Sequence, residues 1–132
     1  MSRAEIEMAP TFTVKPKIRE EEDGNRLVFE CELNAIPQPE IRWYKDNVFI
    51  RNGHEFRITY GIYPTTKPHH YIATLEMNDV YETDAGMYRV HAKNLMGEVS
   101  ASIKLNFDRK YIVYRIYYSN SILINDEHLD VQ

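Results

Sequence analysis

Residues 84–94 constrain this chain more than any bulk property. Asp84-Ala85-Gly86-Met87-Tyr88-Arg89-Val90-His91-Ala92-Lys93-Asn94 reads as a β-strand with its entry corner attached. Tyr88, Val90 and Ala92 alternate with Met87, Arg89, His91 and Lys93, the period of a strand with one buried face. Ahead of it, Asp84-x-Gly86-x-Tyr88 has the spacing of a tyrosine corner. There the ring is buried, its hydroxyl returns to backbone just upstream, and glycine permits the tight turn. Asn94-Leu95-Met96-Gly97 follows as a four-residue loop, with Gly97 expected at positive φ to close a hairpin. Such a corner belongs to a two-sheet antiparallel sandwich.

The rest of the chain can be laid out around that strand. Pro10-Thr11-Phe12-Thr13-Val14-Lys15-Pro16 is expected as a short strand that Pro16 interrupts, resuming from Ile18 at an edge. Glu20-Glu21-Glu22-Asp23-Gly24-Asn25 reads as an exposed loop. Leu27, Phe29, Cys31 and Leu33 share one face of the next strand, which Pro37 and Pro39 end. Ile41 and Trp43 point inward from Glu40–Lys45, and Asp46-Asn47 turns the chain into Val48-Phe49-Ile50. Two further strands are expected at Phe56–Tyr60 and Tyr71–Met77, the second with Leu75 inward. Between them Gly61–His70, with Pro64 and Pro68, is longer than a hairpin needs and is expected to project. Val99, Ala101, Ile103, Leu105 and Phe107 form one face of a last strand. The fold class is all-β, a two-sheet antiparallel Greek-key sandwich.

Composition narrows the function. The chain has 132 residues, 43% hydrophobic and 27% charged, with a net charge of −4 and mean hydropathy of −0.53. One domain spans residues 10–107, after an extension at 1–9. No basic footprint for nucleic acid is present, and no run approaches the roughly eighteen apolar residues of a membrane span. Residues 1–7 lack a hydrophobic signal region. One cysteine, Cys31, cannot form an internal bridge, which points to the cytosol.

The chain is similar to the intermediate-set immunoglobulin domains of the giant muscle proteins. The residues carrying the likeness are Pro10-x-Phe12, Cys31, Pro37-x-Pro39-x-Ile41-x-Trp43-Tyr44-Lys45-Asp46, Leu75, Asp84-x-Gly86-x-Tyr88, Ala92-x-Asn94 and Gly97. Lys15-Pro16-Lys17-Ile18 and Gly97–Phe107 resemble the twitchin and projectin group within that family. The resemblance implies a cytoplasmic module of the sarcomere and thick filament. Its implied partners are neighbouring immunoglobulin and fibronectin modules and thick-filament proteins such as myosin. Where the family's usual pattern has a second cysteine, this chain has Val90. The resemblance therefore implies an apolar Cys31–Val90 contact beside Trp43, and a structural core of Cys31, Trp43, Leu75, Tyr88 and Val90. Kinase domains occur elsewhere in such proteins, but no Gly-rich loop or His-Arg-Asp motif stands here.

Candidate chemistry is sparse. His69-His70 tempts a metal reading, but adjacent strand residues point to opposite faces, so a solvated pair is expected. Cys31, among Phe29, Leu33 and Trp43, is expected to be buried and inert. Glu20–Asp23 is expected as a solvated face. No enzyme activity, cofactor, metal, nucleic acid, membrane or small-molecule substrate is indicated. The 61–70 loop, with Tyr63, Thr66, Lys67, His69 and His70, is the candidate partner contact. Residues 108–132, with the β-prone Tyr111–Tyr118, are expected outside the sandwich as read-through or mis-joined coding sequence. The alternative is an extra strand or a binding tail. Two functional classes remain: a structural and interaction module of the muscle cytoskeleton, or an extracellular adhesion or receptor domain.

Overall fold

Alternating apolar residues become a continuous core between two sheets. The structure, a computed structural model, describes the backbone at residues 6–53, 56–108, 111–118 and 121–130, and side chains at 6–53 and 56–107. The described strands are β1 (Met8–Glu21), β2 (Arg26–Ile36), β3 (Glu40–Lys45), β4 (Val48–Phe49) and β5 (Ile58–Pro64). They continue with β6 (His70–Asn78), β7 (Gly86–Asn94), β8 (Gly97–Asp108), β9 (Tyr111–Tyr118) and β10 (Ser121–Asp130). One sheet orders β1-β2-β6-β5 and the other β10-β9-β8-β7-β3-β4. All pairings are antiparallel. The chain changes sheet between β2 and β3, β4 and β5, and β6 and β7, which makes the sandwich a Greek key.

Leu27, Phe29, Cys31 and Leu33 of β2 and Ala73, Leu75 and Met77 of β6 meet Trp43, Tyr88, Val90, Ala92, Ile103 and Leu105 from the facing sheet. Phe29 is the hinge of this packing. Its ring lies edge-on to Trp43 at 6.2 Å and tilted against Tyr88 at 4.7 Å, geometries that suit aromatic quadrupoles.

Several local expectations change. Pro16 does not break β1, which runs unbroken along β2. The ladder shifts register between Val14 and Lys17, so the missing N–H of Pro16 falls at an irregularity of an edge strand. The acidic run is a 3-10 turn at Glu22–Gly24 rather than an open loop, with Glu22 and Asp23 at φ 52° and 55°. The Leu95-Met96 turn is tighter than expected, because Asn94 pairs directly with Gly97. Strand β5 begins at Ile58 rather than Phe56 and continues to Pro64, so the projecting 61–70 loop shrinks to Thr65–His69. Its first half pairs with β6 from Gly61↔Thr74 to Pro64↔Tyr71.

The segment after Phe107 also departs from expectation. Instead of lying outside the sheets, β9 pairs with β8 over Ala101↔Tyr118 to Asp108↔Tyr111, and β10 pairs with β9. The physical reason is an open ladder: β7 occupies one side of β8, and a strand-prone segment three residues downstream can take the other.

Candidate functional site

The tyrosine corner is built from β7, the end of β6, the residue leading into β5 and the turn before β7. Tyr88, fully buried, donates its hydroxyl to the Asp84 backbone oxygen at 2.6 Å. The Asp84 carboxylate, 5% exposed, accepts from Arg57 at 3.2 Å on each oxygen and from the Tyr81 N–H at 2.8 Å. Arg57 also donates to the backbone oxygens of Asn78 and Asp79, and its guanidinium stands over the Tyr81 ring at 4.8 Å. One arginine thus fastens the entry of β5 to the β6–β7 turn with a bidentate, charge-assisted pair.

Gly86 is required by close approach. A Cβ there would stand 2.7 Å from the Asp46 Oδ2, while Asp46 Oδ1 accepts the Met87 N–H at 2.9 Å. Asp46 and Asn47 themselves lie in the left-handed region at φ 48° and 66°, a conformation these two side chains tolerate. A cleft of about 590 Å³ opens between the edges of β4 and β5, lined by Val48, Phe49, Ile58, Lys45, Asp46 and Asp84. Three of its charged side chains already hold backbone: Lys45 donates to the Thr83 oxygen, and Asp46 and Asp84 are committed to the corner, while Arg51 also lines the cleft.

Cys31, Trp43, Leu75, Tyr88 and Val90 are all fully buried in one cluster. Burial, followed by the nearby Glu30 and Glu32 carboxylates, pushes the Cys31 thiol up to about 12. A thiol held neutral is a poor nucleophile. Val90 lies directly across the β3–β7 ladder from Trp43.

The proposed contact loop divides. Tyr63, Thr66 and Lys67 are exposed, and His69 is half-buried. His70 leaves the set, because it is buried within the first sheet. Its Nδ1 lies 2.7 Å from the Thr65 hydroxyl, and its Nε2 lies 3.1 Å from Thr13 and 3.4 Å from Glu32. His70 is therefore an internal tie between β1, β2 and the β5–β6 turn. The turn is further fixed by the Thr65 N–H to the His70 oxygen and the Ala35 N–H to the His69 oxygen. Glu21 of the acidic run is held by Arg26 at 2.8 Å and Arg19 at 3.1 Å, and these bonds keep its carboxyl below the usual range. Among the described residues no three His, Cys, Asp or Glu side chains gather as a metal site.

Sequence reasoning missed Arg57, His70 as an anchor, and the ties that the Asn94 amide makes. The Asn94 amide donates to the Met8 and Pro37 oxygens at 2.8 and 3.0 Å, joining the start of β1 to the β2–β3 turn. Only the polar character of these residues at strand ends hinted at such roles.

The fold, the corner and the bridgeless core agree with one family, whose immunoglobulin I-set domain model matches residues 10–107. The chain belongs to the immunoglobulin I-set family. This I-set chain is 32% identical over 96 residues to the muscle M-line assembly protein unc-89 of Caenorhabditis elegans, a span of 73% of this chain and 1% of that protein. It superimposes on the titin M4 structure with a TM-score of 0.63 at 25% identity, covering 79% of this chain and 100% of the other. The twitchin kinase region of C. elegans also matches, with a TM-score of 0.57 at 28% identity over 74% of this chain and 16% of the other. The family is a non-catalytic type of module, and these relatives are muscle proteins. The I-set match ends at residue 107, so β9 and β10 lie beyond it.

Proposed function

We propose that this domain is a structural and protein-interaction bead of a cytoplasmic, thick-filament protein of the twitchin and titin group, organising the sarcomere and bearing load. The observation that carries the reading is a sandwich core complete without a bridge, with Cys31 and Val90 buried beside Trp43. Such a core suits a reducing compartment, where a disulfide would not persist. The likeness to a whole titin module, and to a small part of a far longer muscle protein, supports placement in an array. Neighbouring immunoglobulin and fibronectin modules and thick-filament proteins such as myosin are the proposed partners. Tyr63, Thr66, Lys67 and His69 are the proposed contact, presented by a turn that His70 holds rigid. Force along an array enters each bead through its two ends, so β1 against β2 and β8 against β7 are the proposed load-bearing ladders.

The test is localisation in muscle. A tagged 8–107 domain is expected in the cytoplasm with weak enrichment on thick filaments, since one bead lacks the avidity of an array. A tandem of several copies is expected to enrich strongly. Diffuse staining from both would overturn the thick-filament assignment, and a secreted parent chain would favour the adhesion class instead.

A further inference from the structure

We propose that the outer face of β3, β7 and β8 docks an acidic, extended peptide segment of a partner protein. Trp43, Val90, Ile103 and their alternates point into the core, so the residues between them point to water. The ladders then set Arg42 beside His91, and Tyr44 beside Arg89, with Ser102 and Lys104 on the far side. Among the described side chains, four cations on this face, Arg42, Arg89, Lys93 and Lys104, stand against two carboxylates, Glu40 and Glu98. The face thus opposes in sign a chain whose net charge is −4. Both carboxylates lie at one end, on either side of Lys93. Arg89 rests on the Tyr44 ring at 4.1 Å, and neither it nor Lys104 meets a carboxylate among the described residues. The first sheet offers no equal, since Lys17 lies opposite Glu30 and Arg19 is bonded to Glu21 and Glu30.

The chain's own carboxylates mark what the face accepts. Glu40 Oε1 accepts from Arg42 Nε at 2.8 Å, and Glu98 Oε2 lies 3.6 Å from His91 Nε2 and 4.0 Å from Lys93 Nζ. The Glu40 and Glu98 side chains are 65% and 59% exposed, so these pairs are weak and a partner's carboxylate can replace them. Glu40, Arg42, Tyr44, His91 and Lys93 line a hollow of about 220 Å³. That is several times the roughly 30 Å³ of a water molecule, room enough for a carboxylate side chain. Arg89, His91 and Lys93 recur at every second residue of β7, about 7 Å apart, the repeat at which an extended peptide presents side chains to one side. Tyr44 and Phe49 add an apolar flank, their rings 5.7 Å apart, and arginine with aromatics is the composition of binding hot spots. A nucleic acid suits the face less well. Arg89 lies over Tyr44 and Arg42 over Phe49 where a base would stack, and the net −4 repels a long polyphosphate. This inference does not rest on the muscle assignment: failure to enrich on filaments would leave it standing, and loss of peptide binding would leave that assignment standing.

The isotope-labelled full-length chain is titrated with hexaglutamate, hexalysine and an oligothymidylate at low ionic strength, and its amide resonances are followed by NMR. Hexaglutamate should shift residues 40–44, 89–93 and 100–104 saturably, hexalysine should not, and added salt should weaken the binding. Arg89→Glu should lower the hexaglutamate affinity at least about tenfold. Lys17→Glu, the same change of net charge on the other sheet, should alter it by less than about twofold. Glu40→Gln, which releases Arg42, should tighten it. Unchanged core amides confirm that each variant is folded, and the wild-type titration needs no variant at all. Equal losses for Arg89→Glu and Lys17→Glu would overturn the proposal. So would the absence of a saturable shift, shifts centred away from this face, or tighter binding of the oligothymidylate. Sedimentation of the free chain as a dimer that Arg89→Glu dissociates would give the face to a second copy and overturn it too.

Discussion

Tyr88 and Trp43 are both fully buried, yet they support the sandwich differently. Tyr88→Phe keeps the ring and leaves the Asp84 backbone oxygen without its 2.6 Å donor, so it should cost about 1–3 kcal/mol in urea unfolding. Trp43→Ala opens a cavity where Phe29 and Val90 converge and should cost more, on the order of 3–5 kcal/mol. If both fell within about 0.5 kcal/mol of wild type, as surface changes do, this core would be wrong. Cys31 gives a pH-dependent companion. Its thiol rises from an ordinary 9.0 to about 12 in the fold, so the folded chain holds a proton that the unfolded chain releases in that window. The stability it contributes is complete below pH 9 and is lost as pH climbs toward 12. Alkaline melting series should therefore fall less steeply for Cys31→Ala than for wild type, and native Cys31 should resist thiol reagents until denatured.

At the scale of elements, the β3–β4 turn and the start of β7 are one device. Gly86→Ala would press on the Asp46 carboxylate and dislodge it from the Met87 N–H, at a cost of about 1–3 kcal/mol. Combined with Asp46→Ala, which removes the carboxylate but neither the Lys45 Cε at 3.1 Å nor the strain of φ 158°, the two changes should cost less than their sum, a coupling that urea unfolding of the four-member cycle measures. Strict additivity would separate the two elements. The strands themselves were legible, because alternation at Leu27–Leu33, Tyr88–Ala92 and Val99–Phe107 states directly which face is buried. The corner was legible from spacing alone. What was not legible depends on partners distant in sequence. Arg57 reads as an ordinary strand residue until Asp84, 27 positions on, closes on it. His70 reads as part of a loop until Thr13 and Glu32 from two other strands surround it. Pro16 reads as a breaker because sequence does not reveal that β1 changes register there. Composition made Tyr111–Tyr118 strand-prone, but only the vacant side of β8 decides where such a strand goes.

For the whole molecule, the question is whether residues 8–107 are a complete fold. Among the described side chains, every residue of the buried cluster lies between Ile18 and Leu105. The I-set match ends at residue 107. Deleting 108–132 strips β9 from the outer side of β8, which exposes backbone groups to water and leaves every described residue of that cluster in the chain. Water can satisfy those groups, so the loss should be small beside that of Trp43→Ala. Residues 8–107 should therefore fold alone, with a melting temperature within a few degrees of the full chain, about the shift that 1 kcal/mol produces in a domain of this size. Removing the β-prone Tyr111–Tyr118 segment should also raise solubility. Pulled from its ends, the truncated domain should yield at the same force as the full domain, because β1–β2 and β7–β8 remain intact and rupture follows the unfolding barrier. Calorimetry and single-molecule extension of the two forms decide the matter. A truncated chain that is unfolded at temperatures where the full chain is stable would make β9 an integral strand, and the working unit of this protein would then extend past the I-set boundary.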